Sequence, residues 1–265
     1  MLIQTKFKNK LNRINMRIKW MLIVSIVFLF SSCATAQQIT IYTIGDSTMA
    51  NKPNPEENPE RGWAQILPDF FTSDVVIDNR AVNGRSTRSF ITEKRWDSVL
   101  KTLKKGDYVF IQFGHNDQKE KDPKRYTNPH TAYRNNLIRF VKETLEKEAI
   151  PIVFSSIVRR NFNEFGTLVD THGAYPMEAR LVAKELNIPF IDLQYLTEQL
   201  EESYGVEDSL KLHLHYKAGE IPYYPEGKED NTHLSEKGAT EVAKMVINEL
   251  KKMNNSLINY INLKI

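Results

Sequence analysis

The chain has 265 residues, 41% of them hydrophobic and 26% charged, which is a globular composition with enough apolar residues for one good-sized core. No period suggests a repeat array. One cysteine excludes a disulfide or a cysteine-built metal site, and a formal charge of +3 falls short of the basic face that a nucleic-acid binder needs.

The elements begin with a leader. Residues 1–19 carry Lys6, Lys8, Lys10, Arg13, Arg17 and Lys19 without an acid, and residues 20–30 are apolar apart from Ser25. A basic n-region followed by an h-region too short to span a bilayer reads as a signal peptide, and Met16 onward is already a complete one. "FSSC" around Cys33 approximates a lipobox whose cysteine would be acylated, whereas "ATA" at 34–36 fits a signal peptidase site. A sole cysteine just past an h-region favours the lipid anchor; Phe30, where Leu is usual, weighs against it. The expectation is an exported protein, periplasmic, cell-surface lipoprotein or secreted, with residues 1–36 as leader and linker. Taking the six leader cations from the 36 Lys and Arg leaves 30 against 33 Asp and Glu, so the remaining chain is mildly acidic.

Residues 39–44, "ITIYTI", read as a buried strand, since branched and aromatic side chains suit a pleated surface. Gly45 and Asp46 break it, and Ser47 follows at its exit. Residues 51–60, "NKPNPEENPE", read as a surface loop. A helical stretch at 62–71 precedes a second strand at 75–79, after which come Asn83 and Gly84. A helix at 95–104 leads through Lys105-Gly106-Asp107 into a third strand, 108–113, followed by Gly114-His115-Asn116-Asp117. The helix expected over 130–148 puts Leu137, Phe140, Val141 and Leu145 on one face. A fourth strand (150–155), a helix (174–187), a fifth strand (189–192) and a helix (194–203) follow. Residues 204–230 hold histidines, tyrosines and prolines without clear periodicity and read as a loop. Asp230 and His233 stand just ahead of a last helix at 235–252, and the tail 253–265 carries no interpretable pattern. Strand–helix alternation with continuous apolar strands predicts an α/β fold, a parallel sheet of about five strands covered on both faces in a three-layer α/β/α sandwich.

Ser47, Gly84 and Asn116 all fall at carboxyl ends of strands, which converge on one edge of such a sheet. A serine hydroxyl needs a base within hydrogen-bond reach, and His233 can take its proton. Asp230, three residues earlier, can hold the imidazole tautomer. The backbone N–H of Ser47, the backbone N–H of Gly84 and the Asn116 side-chain amide are three donors for an oxyanion. Each block alone has an ordinary structural reading: a strand-to-loop turn, an Asn-Gly turn, a helix cap.

Taken in order, "GDST", "NGRS", "GHND" and "DNTH" resemble the SGNH, or GDSL-like, hydrolase superfamily, with Ser47, Gly84, Asn116 and His233 at the named positions. The resemblance covers most of 39–250. "GDSTMA", "NGRSTRS", "FGHND", "DNTHLSEKGA", "DTHGAYP" and "YYPEGKEDNTH" are similar to bacterial rhamnogalacturonan acetylesterases. It implies a flavodoxin-like sandwich over 37–252, a Ser47–His233–Asp230 triad, the three-donor oxyanion hole, an acetylated polysaccharide as substrate, and no metal or organic cofactor. Other esters (xylan acetate, lipid or aryl) are the first alternative. A non-catalytic glycan-binding module is the second, against which the complete triad argues.

Four further residues are candidate substrate contacts. Arg85 and Arg88 lie one turn beyond Gly84, and guanidinium forks suit the carboxylates of a uronic polymer. His115 could approach the acyl site or pack to fix the Asn116 loop, the second being favoured. His172 could line the groove or close a turn. His213 and His215 share a strand face but lack a third metal ligand nearby.

Overall fold

A computed structural model describes residue 16 and residues 38–253 and 255–262. Cys33 and the rest of the leader, apart from Met16, lie outside the described residues.

The strands are β1 (Ile39–Gly45), β2 (Glu60–Arg61), β3 (Val75–Asn79), β4 (Tyr108–Gln112), β5 (Ile150–Phe154), β6 (Phe190–Ile191), β7 (His213–Tyr216) and β8 (Lys228–Ser235). The α-helices are α1 (Trp63–Ile66), α2 (Thr87–Thr92), α3 (Arg95–Thr102), α4 (Arg134–Glu146), α5 (Ala174–Glu185), α6 (Leu193–Asp208) and α7 (Glu236–Lys252). Five strands form the predicted parallel sheet in the order β3-β1-β4-β5-β6. Because side chains alternate along a strand, the continuous apolar runs feed two cores at once. Ile41, Phe110, Ile152 and Phe154 pack against Trp63 of α1 and Val242 and Val246 of α7. Tyr42, Ile44, Val109, Ile111 and Val153 face Phe90, Trp96, Leu137, Phe140 and Val182 on α2–α5. The result is the three-layer α/β/α sandwich.

Several local expectations are corrected. The helix expected over 62–71 makes one α-turn and continues as a 3-10 turn, Leu67–Phe70, at whose start Pro68 lacks a backbone donor. In α4, Leu145 is 47% exposed and Thr144 is buried in its place. At 100° per residue, position 144 lies about 20° from the direction of Leu137, whereas position 145 lies about 80° away. The Thr144 hydroxyl is satisfied inside by donating to Phe140 O at 2.6 Å. Residues 204–230 are not a plain loop: α6 runs to Asp208, and β7 and β8 pair antiparallel, with β2 on the far side of β8. The described residues 255–262 of the tail pack on the domain. Leu257 and Ile261 are buried, Thr72 N–H donates to Tyr260 O at 2.8 Å, and Asn262 N–H donates to Phe70 O at 2.9 Å.

Candidate active site

The sharp stop after β1 has a packing cause. A Cβ on Gly45 would stand 2.7 Å from Gln112 O and 2.8 Å from Met49 Sδ, so only glycine lets the strand end against β4. Asp46 then turns the chain. Its buried Oδ1 accepts from Thr48 N–H at 3.0 Å and from Thr48 Oγ1 at 2.9 Å, while Met49 and Ala50 N–H return to its carbonyl. Burial raises the pKa of Asp46 against the pull of these Thr48 donors. The turn leaves Ser47 at the carboxyl edge of the sheet.

There Ser47 Oγ–H donates to His233 Nε2 at 2.9 Å, and His233 Nδ1–H donates to Asp230 Oδ2 at 2.9 Å. The other carboxylate oxygen, Oδ1, accepts the backbone N–H of Thr232 at 2.9 Å and of His233 at 3.0 Å. Burial works to raise the Asp230 pKa. The His233 ring and backbone donors, with Thr232, overcome it and hold the carboxyl well below the usual range. An anionic Asp230 fixes the proton on Nδ1 and leaves the Nε2 lone pair toward the hydroxyl. Asp230 and His233 lie on β8 rather than on the expected loop. Pairing of Ser235 with Glu60 and of Asp230 with Leu214 fixes their register. Behind them, buried His213 donates from Nδ1 to His233 O at 3.2 Å, and its Nε2 meets Glu201 Oε1 at 2.6 Å. The sequence reading, which found no third metal ligand for His213 and His215, did not foresee this hold on the His233 backbone.

Gly84 turns with φ +77°, a conformation that side chains other than glycine's rarely adopt. Neither its N–H nor that of Ser47 donates to another described residue. Asn116 is 3% exposed. Its Nδ2 donates to Arg85 O at 3.2 Å and its Oδ1 accepts from Arg125 at 3.4 Å, so the amide has one orientation and keeps a second N–H to give. Asp117, the next residue, ties this loop to the start of α2. It accepts from Thr87 N–H at 3.1 Å and from the Thr127 hydroxyl at 2.7 Å, and burial pushes its pKa up to about 7.

The four further candidates separate. His115 and His172 are 3% and 2% exposed, stand edge to face at 4.6 Å, and share a hydrogen bond of 3.1 Å between His115 Nδ1 and His172 Nε2. Burial first, then the charge of Arg159, pushes His172 down to about 3. Burial, His172 and Arg159 push His115 well below the imidazole range. His172 is thus packed inside behind the Asn116 loop instead of lining an open groove. Arg85 is committed to protein: Nε donates to Glu93 Oε2 at 3.0 Å and NH1 to Asn83 O at 2.9 Å. Arg88 is exposed on α2, and its side chain makes no hydrogen bond or ion pair with a described residue. Among the described residues, no group of three or more His, Cys, Asp or Glu side chains is placed to hold a metal ion. The stretch 51–60 is not wholly surface, since Lys52 and Asn58 are buried in it. Only the chain-order proximity of Lys52 to Ser47 could have signalled a role for it.

The profile of the GDSL-like lipase/acylhydrolase family matches residues 43–240. The chain is 42% identical over 215 residues to rhamnogalacturonan acetylesterase RhgT of Bacillus subtilis, covering 81% of this chain and 90% of that protein. It is 30% identical to a rhamnogalacturonan acetylesterase of Emericella nidulans, covering 77% and 81%. Among solved structures, YxiM of Bacillus subtilis superposes with a TM-score of 0.69 at 26% identity, over 83% of this chain and 58% of that one. Axe2, an acetylxylan esterase of Geobacillus stearothermophilus, superposes with a TM-score of 0.55 at 16% identity, over 80% and 94%, and shares the fold.

Proposed function

Because the chain belongs to the GDSL-like lipase/acylhydrolase family and is a carboxylic ester hydrolase, we propose that it is an exported esterase removing O-acetyl groups from rhamnogalacturonan. The observation that carries this reading is the hydrogen-bonded chain Ser47–His233–Asp230, in a protein 42% identical to a rhamnogalacturonan acetylesterase.

The chemistry follows from the geometry. Ser47 Oγ attacks the acetyl carbonyl carbon as its proton passes to His233 Nε2, and anionic Asp230 stabilises the imidazolium. The carbonyl π pair moves onto oxygen, where the N–H groups of Ser47, Gly84 and the Asn116 amide receive it. Collapse expels the sugar oxygen, which takes the proton from His233 to become a hydroxyl, and leaves acetyl-Ser47. Water then gives one proton to His233 as its oxygen attacks the acyl carbon. The second oxyanion collapses to acetic acid, which ionises to acetate, as Ser47 Oγ leaves and takes that proton from His233. Every step uses groups of this chain.

Export and the anchor on Cys33 are supported by the basic n-region, the apolar run and the sole cysteine. Acetate release from acetylated rhamnogalacturonan by wild type, and its loss in Ser47→Ala, tests the function directly. Palmitate labelling that vanishes in Cys33→Ser tests the anchor.

A further inference from the structure

Lys52 sits five residues past Ser47 in a stretch whose composition suggests solvent, yet its side chain is 1% exposed. Its ammonium makes three contacts. Nζ donates to Ser47 O at 2.6 Å and to Asn83 Oδ1 at 2.8 Å, and it pairs with Glu60 Oε1 at 2.7 Å. An ammonium has three N–H donors, so its capacity is used in full. Its backbone is clamped as well: Lys52 N–H donates to Gln65 Oε1 at 2.9 Å.

The three acceptors come from the segments that carry the three parts of the chemistry. Ser47 is the nucleophile. Asn83 immediately precedes Gly84, whose N–H belongs to the Asn83–Gly84 peptide. Glu60 lies on β2 and pairs with Ser235 of β8, the strand that carries Asp230 and His233. Burying a lone ammonium costs several kcal/mol, so a buried lysine stays charged only with such partners around it. A surface loop with no such task would leave a lysine in water, with its stem alone against protein.

We propose that Lys52 is a positioning residue for the oxyanion hole. Holding the Ser47 carbonyl restrains the Ser47 backbone, and holding Asn83 restrains the Gly84 turn. One backbone bond, Val82 N–H to Gly45 O at 3.1 Å, already ties the two segments; the ammonium adds a second tie nearer the two N–H donors and so fixes their spacing. This inference rests on Ser47 being the nucleophile.

The test is the single-turnover reaction with a p-nitrophenyl organophosphate. Ser47 Oγ attacks phosphorus as its proton passes to His233 Nε2, the P–O bond to p-nitrophenolate breaks, and the rate constant is read per reacting molecule while the amplitude counts folded sites. Lys52→Met should slow the rate constant by about tenfold or more, part of the ~10²–10³ that loss of an oxyanion donor costs, with the amplitude near one per chain. Asn83→Ala, at an exposed residue that leaves folding intact, should slow it by a smaller factor. Added to Lys52→Met it should change nothing further, because the two share one contact. A rate constant within twofold of wild type in Asn83→Ala and in folded Lys52→Met would overturn the inference while leaving the serine mechanism standing. Reduced amplitude at an unchanged rate constant would show a merely structural lysine and overturn it too. Failure of wild type to react at Ser47 would remove the nucleophile and this inference together.

Discussion

Ser47 Oγ stands 2.9 Å from His233 Nε2 although 186 residues separate them in the chain. The sheet edge places the serine and the antiparallel β2–β8 pairing delivers the histidine. Ser47→Ala and His233→Ala should each lower kcat by ~10⁴-fold or more, and Asp230→Asn somewhat less, as nucleophile, base and orienting residue do in comparable triads. Circular dichroism should show the fold unchanged in Ser47→Ala. Residual activity within tenfold of wild type would remove Ser47 as the nucleophile.

Asn116→Ala should lower kcat by ~10²-fold with little change in KM, because its amide serves the transition state more than the bound ester. Arg125→Gln should give a smaller loss, also in kcat, since Arg125 holds the Asn116 oxygen. Steady-state kinetics on p-nitrophenyl acetate reads both. A pure KM effect would place Asn116 in substrate binding.

The arginines of the Gly84 turn should behave differently from one another. Arg88→Gln should weaken activity on acetylated rhamnogalacturonan and leave p-nitrophenyl acetate turnover unchanged, because only the polymer offers carboxylates. Added salt should weaken wild type on the polymer in the same way, since exposed ion pairs are screened over ~8 Å at physiological ionic strength. Arg85→Gln should reduce both substrates alike, because Arg85 is bound to Glu93 and Asn83. Equal loss on both substrates in Arg88→Gln would end its role in carboxylate recognition.

The buried imidazole pair makes stability depend on pH. His172 is held at about 3 in the folded protein, against ~6.5 when unfolded. Between those values the unfolded chain binds a proton that the folded chain does not. The stability this neutral ring contributes is therefore complete above pH 6.5 and is lost as pH falls toward 3. Urea unfolding of wild type should lose about 2 kcal/mol more between pH 7.5 and pH 5 than that of His172→Gln. Parallel pH dependence in the two proteins would show that His172 is protonated in the fold.

The parallel sheet and the edge that holds Ser47, Gly84 and Asn116 were readable because long apolar runs mark buried strands and because three of the four blocks follow one. The second sheet was not. β8, "KEDNTHLS", is largely polar, and β7 spans four residues, so neither offers hydrophobic alternation. Its register comes from pairing with β2, a two-residue strand no local pattern announces. The surface reading of the stretch that holds Lys52, and the groove or turn reading of His172, missed burial for a related cause. Both are polar side chains whose burial depends on partners distant in the chain, Asn83 for one and His115 for the other. Composition reports what a residue prefers, and these preferences were overridden by specific hydrogen bonds.

The most direct measurement is ester hydrolysis by the purified protein, read as acetate from acetylated rhamnogalacturonan and acetylated xylan and as p-nitrophenol from p-nitrophenyl octanoate, with Ser47→Ala in parallel. Acetate should come fastest from rhamnogalacturonan, at a rate abolished in Ser47→Ala, with octanoate hydrolysed poorly. Faster turnover of octanoate than of any acetylated polysaccharide, or acetate release that survives in Ser47→Ala, would contradict a serine acetylesterase of pectin.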